Sequence, residues 1–484
     1  MVFRQWKHAL AALLLTAAGA AQTPAAEFDA LKSRGTVVPS LTCLADSSQS
    51  YALYLPSQYS PEKRWPVIYA FDPFAHGKTP VELYKNIAEK YGYIIAGSNN
   101  SQNGPAGPAM AAAQAVWQDT HRRLALDKDR VYTTGLSGGA RFATSFTLYC
   151  YTCAIAGVIA HGAGYPLGTI KPANDHFLYY AAVGDADFNL PELLELRRKK
   201  EEQGAGYKVK IYSGQHQWAP PEVFEDAIEW LELKAMQAGT RKPDAEFIRR
   251  LFDRTRSEAA EAGKKGDALG QFHALRSLVS DFKGLENTDA AEFEKQLAAL
   301  KSSKSLKEAR KKEQHEIDQQ RALTEITAGD IARLSTADPD EQIQIRRRIA
   351  ASMADLRRQA GATGPDSAVS ARAFNQLWIQ GIEQGQEELR LRHLVQAEVC
   401  FELMGEAAPD RPWPLIMLAE VRVKAGNKKA AIKALEDAVK HGLKNPAALT
   451  QSPELQPLAS EPAFQKIVEG LNPAGKLPEL PKSP

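Results

Sequence analysis

Three polar positions, far apart in the chain, have the residue types that acyl transfer needs: Ser137 in TTGLSGGAR, an aspartate in GDADFN, and His216 in SGQHQW. A serine hydroxyl attacks a carbonyl only when a base takes its proton, and an imidazole serves as that base when a carboxylate fixes its tautomer. Asp185 and Asp187 both stand where such an acid is wanted, between the serine and the histidine in chain order. Gly135, Gly138 and Gly139 relieve crowding at a sharp turn around Ser137. A phosphate-binding loop would want the P-loop lysine or the G-x-G-x-x-G spacing, and both are missing here.

Each of these residues follows a run that reads as a strand. RVYTTG (130–135) leads to Ser137, FLYYAAVG (177–184) to the aspartates, and YKVKIYSG (207–214) to His216. YALYL (51–55), PVIYAF (66–71), YIIAGS (93–98) and AIAGVIA (154–160) complete the set. Helical patterns such as PVELYKNIAEKYG and PAMAAAQAVWQDTHRRL lie between them, so the chain from about 27 to 236 is expected to form an α/β domain with a mostly parallel sheet. Several strands are apolar on both faces, as a buried parallel sheet requires. Such sheets keep their sites at the carboxyl ends of the strands.

With serine, acid and histidine at three strand ends in that order, residues from about 45 to 235 resemble the α/β-hydrolases. The likeness is strongest to exported esterases of the polyhydroxybutyrate depolymerase and feruloyl esterase type. The resemblance implies that Ser137 is the nucleophile, His216 the base, and Asp187 rather than Asp185 the orienting acid. It also implies an oxyanion hole built from the Gly138 N–H and a donor on the loop after PVIYAF. Many relatives carry His-Gly in that loop, whereas this chain has Phe71-Asp72-Pro73-Phe74, which leaves Asp72 or Phe74, with Phe74 preferred. His161 precedes the acid and so lacks the right chain order, His76 lies in the loop after PVIYAF, and His121 and His176 read as surface residues.

The polar segment GSNNSQNGPAG (97–107) borders the expected pocket. Its Asn99, Asn100 and Asn103 are candidates for substrate hydrogen bonds, Asn100 foremost, or else plain turn formers. Trp218, two residues past the base, suits either stacking on a sugar or aromatic group or packing in the core. The chemistry calls for no metal and no organic cofactor.

Arg4 and Lys7 precede the uncharged run Ala9 to Ala21, shorter than the roughly 20 residues of a membrane span. It is expected to be a signal peptide (1–21), cleaved after Ala20 or Ala21, of a secreted or periplasmic protein. The formal charge of +2 falls to zero without that leader, which gives no reason to expect nucleic acid as a partner. Export permits disulfides, and a structural one is expected among Cys43, Cys150 and Cys153.

Beyond about 240 strand signals vanish, leaving a helical region at 240–377. GKKGDALGQFHALRSLVSDF (263–282) within it has the look of a degenerate hairpin. At 378–470 a period of 34 sets Ala397 and Phe401 over Ala431 and Leu435, and Gly385 over Ala419. This part resembles tetratricopeptide repeats, although Met404 stands where the family has a small residue. The tail is expected to bind a protein partner, to self-associate, or to cover the active site, and a chain cut near 240 is expected to remain a soluble, active hydrolase. The functional expectation is an exported serine hydrolase of carboxylic esters. Its alternatives are a peptidase with the same triad, an acyltransferase, and a non-catalytic adaptor working through the tail.

Overall fold

The computed structural model describes residues 28–166, 177–201, 206–285, 290–364 and 366–471. The expected leader at 1–21 and His176 lie outside them. Eight strands form one sheet: β1 Val37–Thr42, β2 Ser50–Tyr54, β3 Trp65–Phe71, β4 Ile94–Ser98, β5 Leu126–Leu136, β6 Gly157–His161, β7 Leu178–Gly184 and β8 Tyr207–Tyr212. Their order is β1-β2-β4-β3-β5-β6-β7-β8. The β1/β2 and β2/β4 pairs are antiparallel, and every pair from β4 to β8 is parallel. All seven expected strands are present. The additional β1 is a half-exposed edge strand with Pro39 inside it, a residue that weakens a strand reading because it cannot donate to the ladder.

The strands carry apolar residues on both faces because helices cover both. Val67, Tyr69, Phe71, Val158, Ala160, Ala181 and Val183 pack on one side with α3 (Ala106–Arg123), α4 (Gly138–Tyr149) and α5 (Leu190–Glu201). The alternating set Ile68, Ala70, Ile159, Tyr180 and Ala182 packs on the other with α2 (Lys78–Tyr91) and α6 (Pro221–Gln237). A short α1 (Ala30–Ser33) precedes the sheet. Cys150 and Cys153 form a disulfide at the end of α4, while Cys43 and Cys400 are free and buried.

The rest is helical: α7 (Ala245–Lys265), α8 (Ala268–Ser280), α9 (Ala291–Ser302), α10 (Lys304–Arg333), α11 (Pro339–Ala360), α12 (Ser367–Arg390), α13 (Leu394–Ala407), α14 (Trp413–Lys424), α15 (Lys428–Lys440), α16 (Ala447–Thr450), a 3₁₀ turn at Pro453–Leu458, and α17 (Pro462–Leu471). One core runs from Ile331 to Val468, so the boundary expected at 377/378 falls inside α12 and divides no packing unit. The helices α12/α13 and α14/α15 form consecutive hairpins. A side chain at Gly385 would collide with Phe401, and one at Gly381 with Met404, which explains how the larger Met404 is accommodated. Among the described residues no helix is long and apolar enough to cross a membrane.

The helical region is packed on the sheet domain. Ile317 of α10 is buried in the same core as Leu190, Leu193 and Leu194 of α5. Arg197 of α5 pairs with Glu313, and Arg310 with Glu201 at 3.0 Å. On α6, the carboxylate of Glu229, 2 % exposed, is held by Arg250 at 2.7 Å and Arg254 at 2.6 Å. Residues beyond 240 thus complete the cores and ion pairs of α5 and α6, which removes the physical basis for expecting a chain cut there to be unaffected.

Candidate active site

The turn between β5 and α4 places Ser137 in a backbone conformation that L-residues rarely adopt, φ 54° and ψ −123°. It is held by the Ser137 N–H, which donates to the His161 carbonyl at 2.8 Å, and by the Ala140 and Arg141 N–H groups, which donate to the Ser137 carbonyl at 2.9 and 3.1 Å. The turn is tight enough that a Cβ at Gly135 would lie 2.2 Å from the Gly139 carbonyl oxygen. Such a strained, over-determined serine between strand and helix has the form of a nucleophile elbow.

Asp187 follows β7 in a turn closed by its N–H on the Gly184 carbonyl at 3.1 Å, and its side chain is wholly buried. Its Oδ1 accepts from the Asn189 N–H at 2.8 Å, and both oxygens meet His216 Nδ1, at 2.9 and 3.0 Å. A carboxylate at Nδ1 keeps the proton on that nitrogen and leaves the Nε2 lone pair free as an acceptor. The imidazole is 19 % exposed and covered by the Phe188 ring at 4.3 Å. Asp185 is exposed, and its carboxylate accepts from the Gly214 N–H instead.

Residues 161 and 162 bring serine and histidine together. The His161 carbonyl anchors Ser137, and a Cβ at the next residue, Gly162 (φ 63°), would lie 3.0 Å from His216 Nδ1. Among the described residues no hydrogen bond joins Ser137 Oγ to the imidazole. Such contacts often tighten only when substrate is bound. Arg141, one turn into α4, is clamped by both oxygens of Glu192 at 2.7 and 2.6 Å.

His161 has a different task. It is fully buried, its Nδ1 accepts from the Ala219 N–H at 3.4 Å, and its Nε2 lies 3.1 Å from Thr134 Oγ1, whose proton goes to the Ile159 carbonyl. Burial pushes its pKa down to about 3, so it is a neutral core residue. His76 and His121 are exposed.

Three expectations about the pocket are corrected by the partners these residues take. The Phe74 N–H donates to Asp72 Oδ1 at 2.9 Å and so faces a carboxylate, not the space above Ser137. Trp218 is 8 % exposed, packed against Tyr84 and His161, and donates Nε1–H to Asp72 Oδ2 at 3.0 Å; it has no free face for a substrate ring. Asn100 accepts from the Ser50 N–H at 2.8 Å and donates to the Ser48 carbonyl at 3.2 Å, which fastens the β1–β2 turn. Asn103 is the asparagine at the site. Its N–H donates to the Pro73 carbonyl at 2.9 Å, and its side-chain amide lies on the Gly138 Cα, where a Cβ would be 2.0 Å from Oδ1 and 2.8 Å from Nδ2.

Elements of the helical region border this site. Gln320 of α10 donates to the Phe188 carbonyl at 2.8 Å, Arg372 of α12 donates to the Asp185 carbonyl at 3.1 Å, and the Trp413 ring meets the Phe74 ring edge-on at 6.3 Å. A signal for these contacts, or for the role of Asp72, is missing from the local sequence pattern, since each depends on partners more than 100 residues away.

No protein-family model matches the chain, and no curated protein matches it in sequence. Several solved structures are similar to about 40 % of the chain. A fluorophosphonate-binding serine hydrolase F from Staphylococcus aureus is 15 % identical, with 41 % of this chain and 98 % of that chain covered and a TM-score of 0.34. The S-formylglutathione hydrolase of the same organism is 14 % identical (41 % and 97 %, TM-score 0.34), and a ferulic acid esterase 17 % identical (40 % and 94 %, TM-score 0.33). The strand order and the strand-to-helix turn at Ser137 make residues 37–237 an α/β-hydrolase fold, followed by an all-helical region.

Proposed function

We propose that the protein is a serine hydrolase of carboxylic esters, carried out by Ser137, His216 and Asp187. The observation that carries this reading is the buried Asp187 carboxylate on His216 Nδ1, beside a serine held at positive φ. A scaffold has no physical need for either feature, and both have a cost: a buried carboxylate and a strained backbone. This disfavours a purely adaptor role.

In the reaction, Nε2 of His216 takes the Ser137 proton as Oγ attacks the ester carbonyl, and the imidazolium that forms is stabilised by Asp187. The negative charge on the former carbonyl oxygen is held by the Gly138 N–H and, in our reading, by the side-chain N–H of Asn103, in place of the Phe74 donor. His216 returns the proton to the leaving alcohol. Water, activated by the same histidine, then releases the acid from the acyl-enzyme. We read residues 1–21 as an export signal and the paired hairpins of α12–α15 as tetratricopeptide-like.

The test is labelling by a fluorophosphonate probe and hydrolysis of a short-chain nitrophenyl ester, each compared with Ser137→Ala. Labelling and turnover that vanish in the variant support the reading. Folded wild-type protein that neither labels nor turns over refutes it.

A further inference from the structure

The loop that presents Asp187 is held from two sides. Its N–H groups are spent within the sheet domain: those of Asp185 and Ala186 donate to the Tyr212 and Gly214 carbonyls at 2.8 and 2.9 Å, and that of Asp187 to the Gly184 carbonyl at 3.1 Å. Its carbonyls are shared out differently. The Asp187 carbonyl accepts from the Leu190 N–H at 3.0 Å, but those of Asp185 and Phe188 take no backbone N–H among the described residues. Both are met by side chains of the helical region instead. Arg372 of α12 donates from Nη1 to the Asp185 carbonyl at 3.1 Å, and Gln320 of α10 donates from Nε2 to the Phe188 carbonyl at 2.8 Å. The two side chains are themselves joined, since Arg372 Nε–H donates to Gln320 Oε1 at 3.0 Å. One hydrogen-bonded unit therefore grips the chain on either side of Asp187.

Docking alone has no need of this unit. Arg372 is 4 % exposed and Gln320 2 %, and the carboxylate paired with the guanidinium, Glu316, stands off at 3.8 Å. Taking a guanidinium out of water with such partners is costly, whereas Ile317 docks α10 on α5 with an apolar side chain. The loop also has room to relax once released, because a cavity of about 210 Å³ lies against Phe188 and Asn189, lined in addition by Gln320 and Gln376. A displacement there reaches the base twice: through the Asp187 carboxylate on His216 Nδ1, and through the Phe188 ring 4.3 Å from the imidazole.

We propose that Arg372 and Gln320 are positioning residues of the triad. Together they hold Asp187 and Phe188 against His216, so that the alignment of the acid is set by the helical region and not by the sheet domain alone. The proposal rests on the serine-hydrolase reading. It gives the region beyond 240 a part in turnover itself, exerted through Asp187.

The experiment compares the full-length wild type with Gln320→Met, Arg372→Met and the double variant, and with Arg310→Gln, which removes the ion pair to Glu201 elsewhere between α5 and α10. Turnover of a nitrophenyl ester is counted per serine that a fluorophosphonate labels to completion, so an unfolded fraction drops out. Each methionine variant loses about 10- to 10²-fold in kcat, with KM within about threefold, as a misplacement of about 1 Å at a catalytic group would cause. The double variant falls no further than the worse single one, because the two side chains act as a unit. Arg372→Lys, which keeps a donor for the Asp185 carbonyl, recovers part of the loss, and Arg310→Gln stays within about threefold of wild type. In protein labelled with ¹⁵N-histidine, the Nδ1–H of His216 bonded to Asp187 gives a downfield proton signal that weakens in the methionine variants and persists in Arg310→Gln. An active wild type whose methionine variants keep both kcat and that signal, or an equal loss in Arg310→Gln, overturns the positioning role and leaves the hydrolase reading intact. Folded wild-type protein that neither labels nor hydrolyses overturns both.

Discussion

Asp187→Asn is the substitution for which the structure gives the sharpest expectation. The asparagine fits the same space, but its amide has only one oxygen for two donors. The Asn189 N–H, at 2.8 Å from Oδ1, claims that oxygen, which places the NH₂ where Oδ2 now sits, 3.0 Å from His216 Nδ1. Two N–H groups then point at each other unless the imidazole moves its proton to Nε2. In that tautomer His216 has no lone pair for the Ser137 proton. Loss of the orienting carboxylate in triads of this kind lowers kcat by about 10⁴-fold, roughly 5.5 kcal/mol of transition-state stabilisation. The control is Asp185→Asn, which removes only an exposed charge and leaves an amide oxygen for the Gly214 N–H, and is expected to change kcat by less than about threefold. Both variants would be assayed on a nitrophenyl ester at neutral pH, with folding checked by thermal melts. Near-normal turnover by Asp187→Asn, or a collapse of activity in Asp185→Asn instead, would refute the assignment of the acid.

The other predictions concern neighbours of that site. Asn103→Ala should lower kcat by about 10²- to 10³-fold with little change in KM, the behaviour of a lost oxyanion donor, whereas Asn100→Ala should keep kcat and lose about 1 kcal/mol in urea unfolding. His161 is neutral in the folded state, with a pKa of about 3, but takes a proton near pH 6.5 once unfolded. Its depressed pKa therefore favours folding above pH 6.5, and this contribution is lost as pH falls toward 3, by up to about 1.4 kcal/mol per pH unit. His161→Gln should flatten that part of the acid limb of the urea midpoint against pH, and an unchanged slope would contradict the burial argument. A chain ending near 240 should aggregate or melt well below the full protein, because it uncovers the α5 leucines and strips Glu229 of both its arginines and Arg197 of Glu313. A soluble, equally stable fragment would count against that packing.

How far the sequence could be read depended on the distance over which each feature is determined. Strands buried on both faces must be apolar throughout, so PVIYAF, AIAGVIA and FLYYAAVG are visible as runs and their order already indicates a parallel sheet. The residues that follow β5, β7 and β8 lie at one edge because parallel strands end on the same side, and this made Ser137, the two aspartates and His216 candidates for one site. Side-chain direction is another matter. Trp218, Asn100 and Phe74 sit in the right loops, yet their orientations are set by Asp72, by the β1–β2 turn, and by the need of a buried carboxylate for donors. Asp72 illustrates the point: three N–H groups converge on it, from Phe74, His76 and Trp218, and only the first two are local.

The helical region shows the same limit on a larger scale. Its helices and small-residue spacing follow from a local period, but where it docks does not. Arg372 has no motif around it, and in the sequence SAVSARAFNQ it is one polar residue among several on an amphipathic helix. The docking of α10 and α12 is fixed by Arg372 on the Asp185 carbonyl, Gln320 on the Phe188 carbonyl and Ile317 in the α5 core. Two of those contacts end on backbone carbonyls of the loop that also carries Asp187. A shift of α10 and α12 would therefore move the acid loop, so substitutions in this interface, Arg372→Ala or Gln320→Ala, should lower kcat on a nitrophenyl ester.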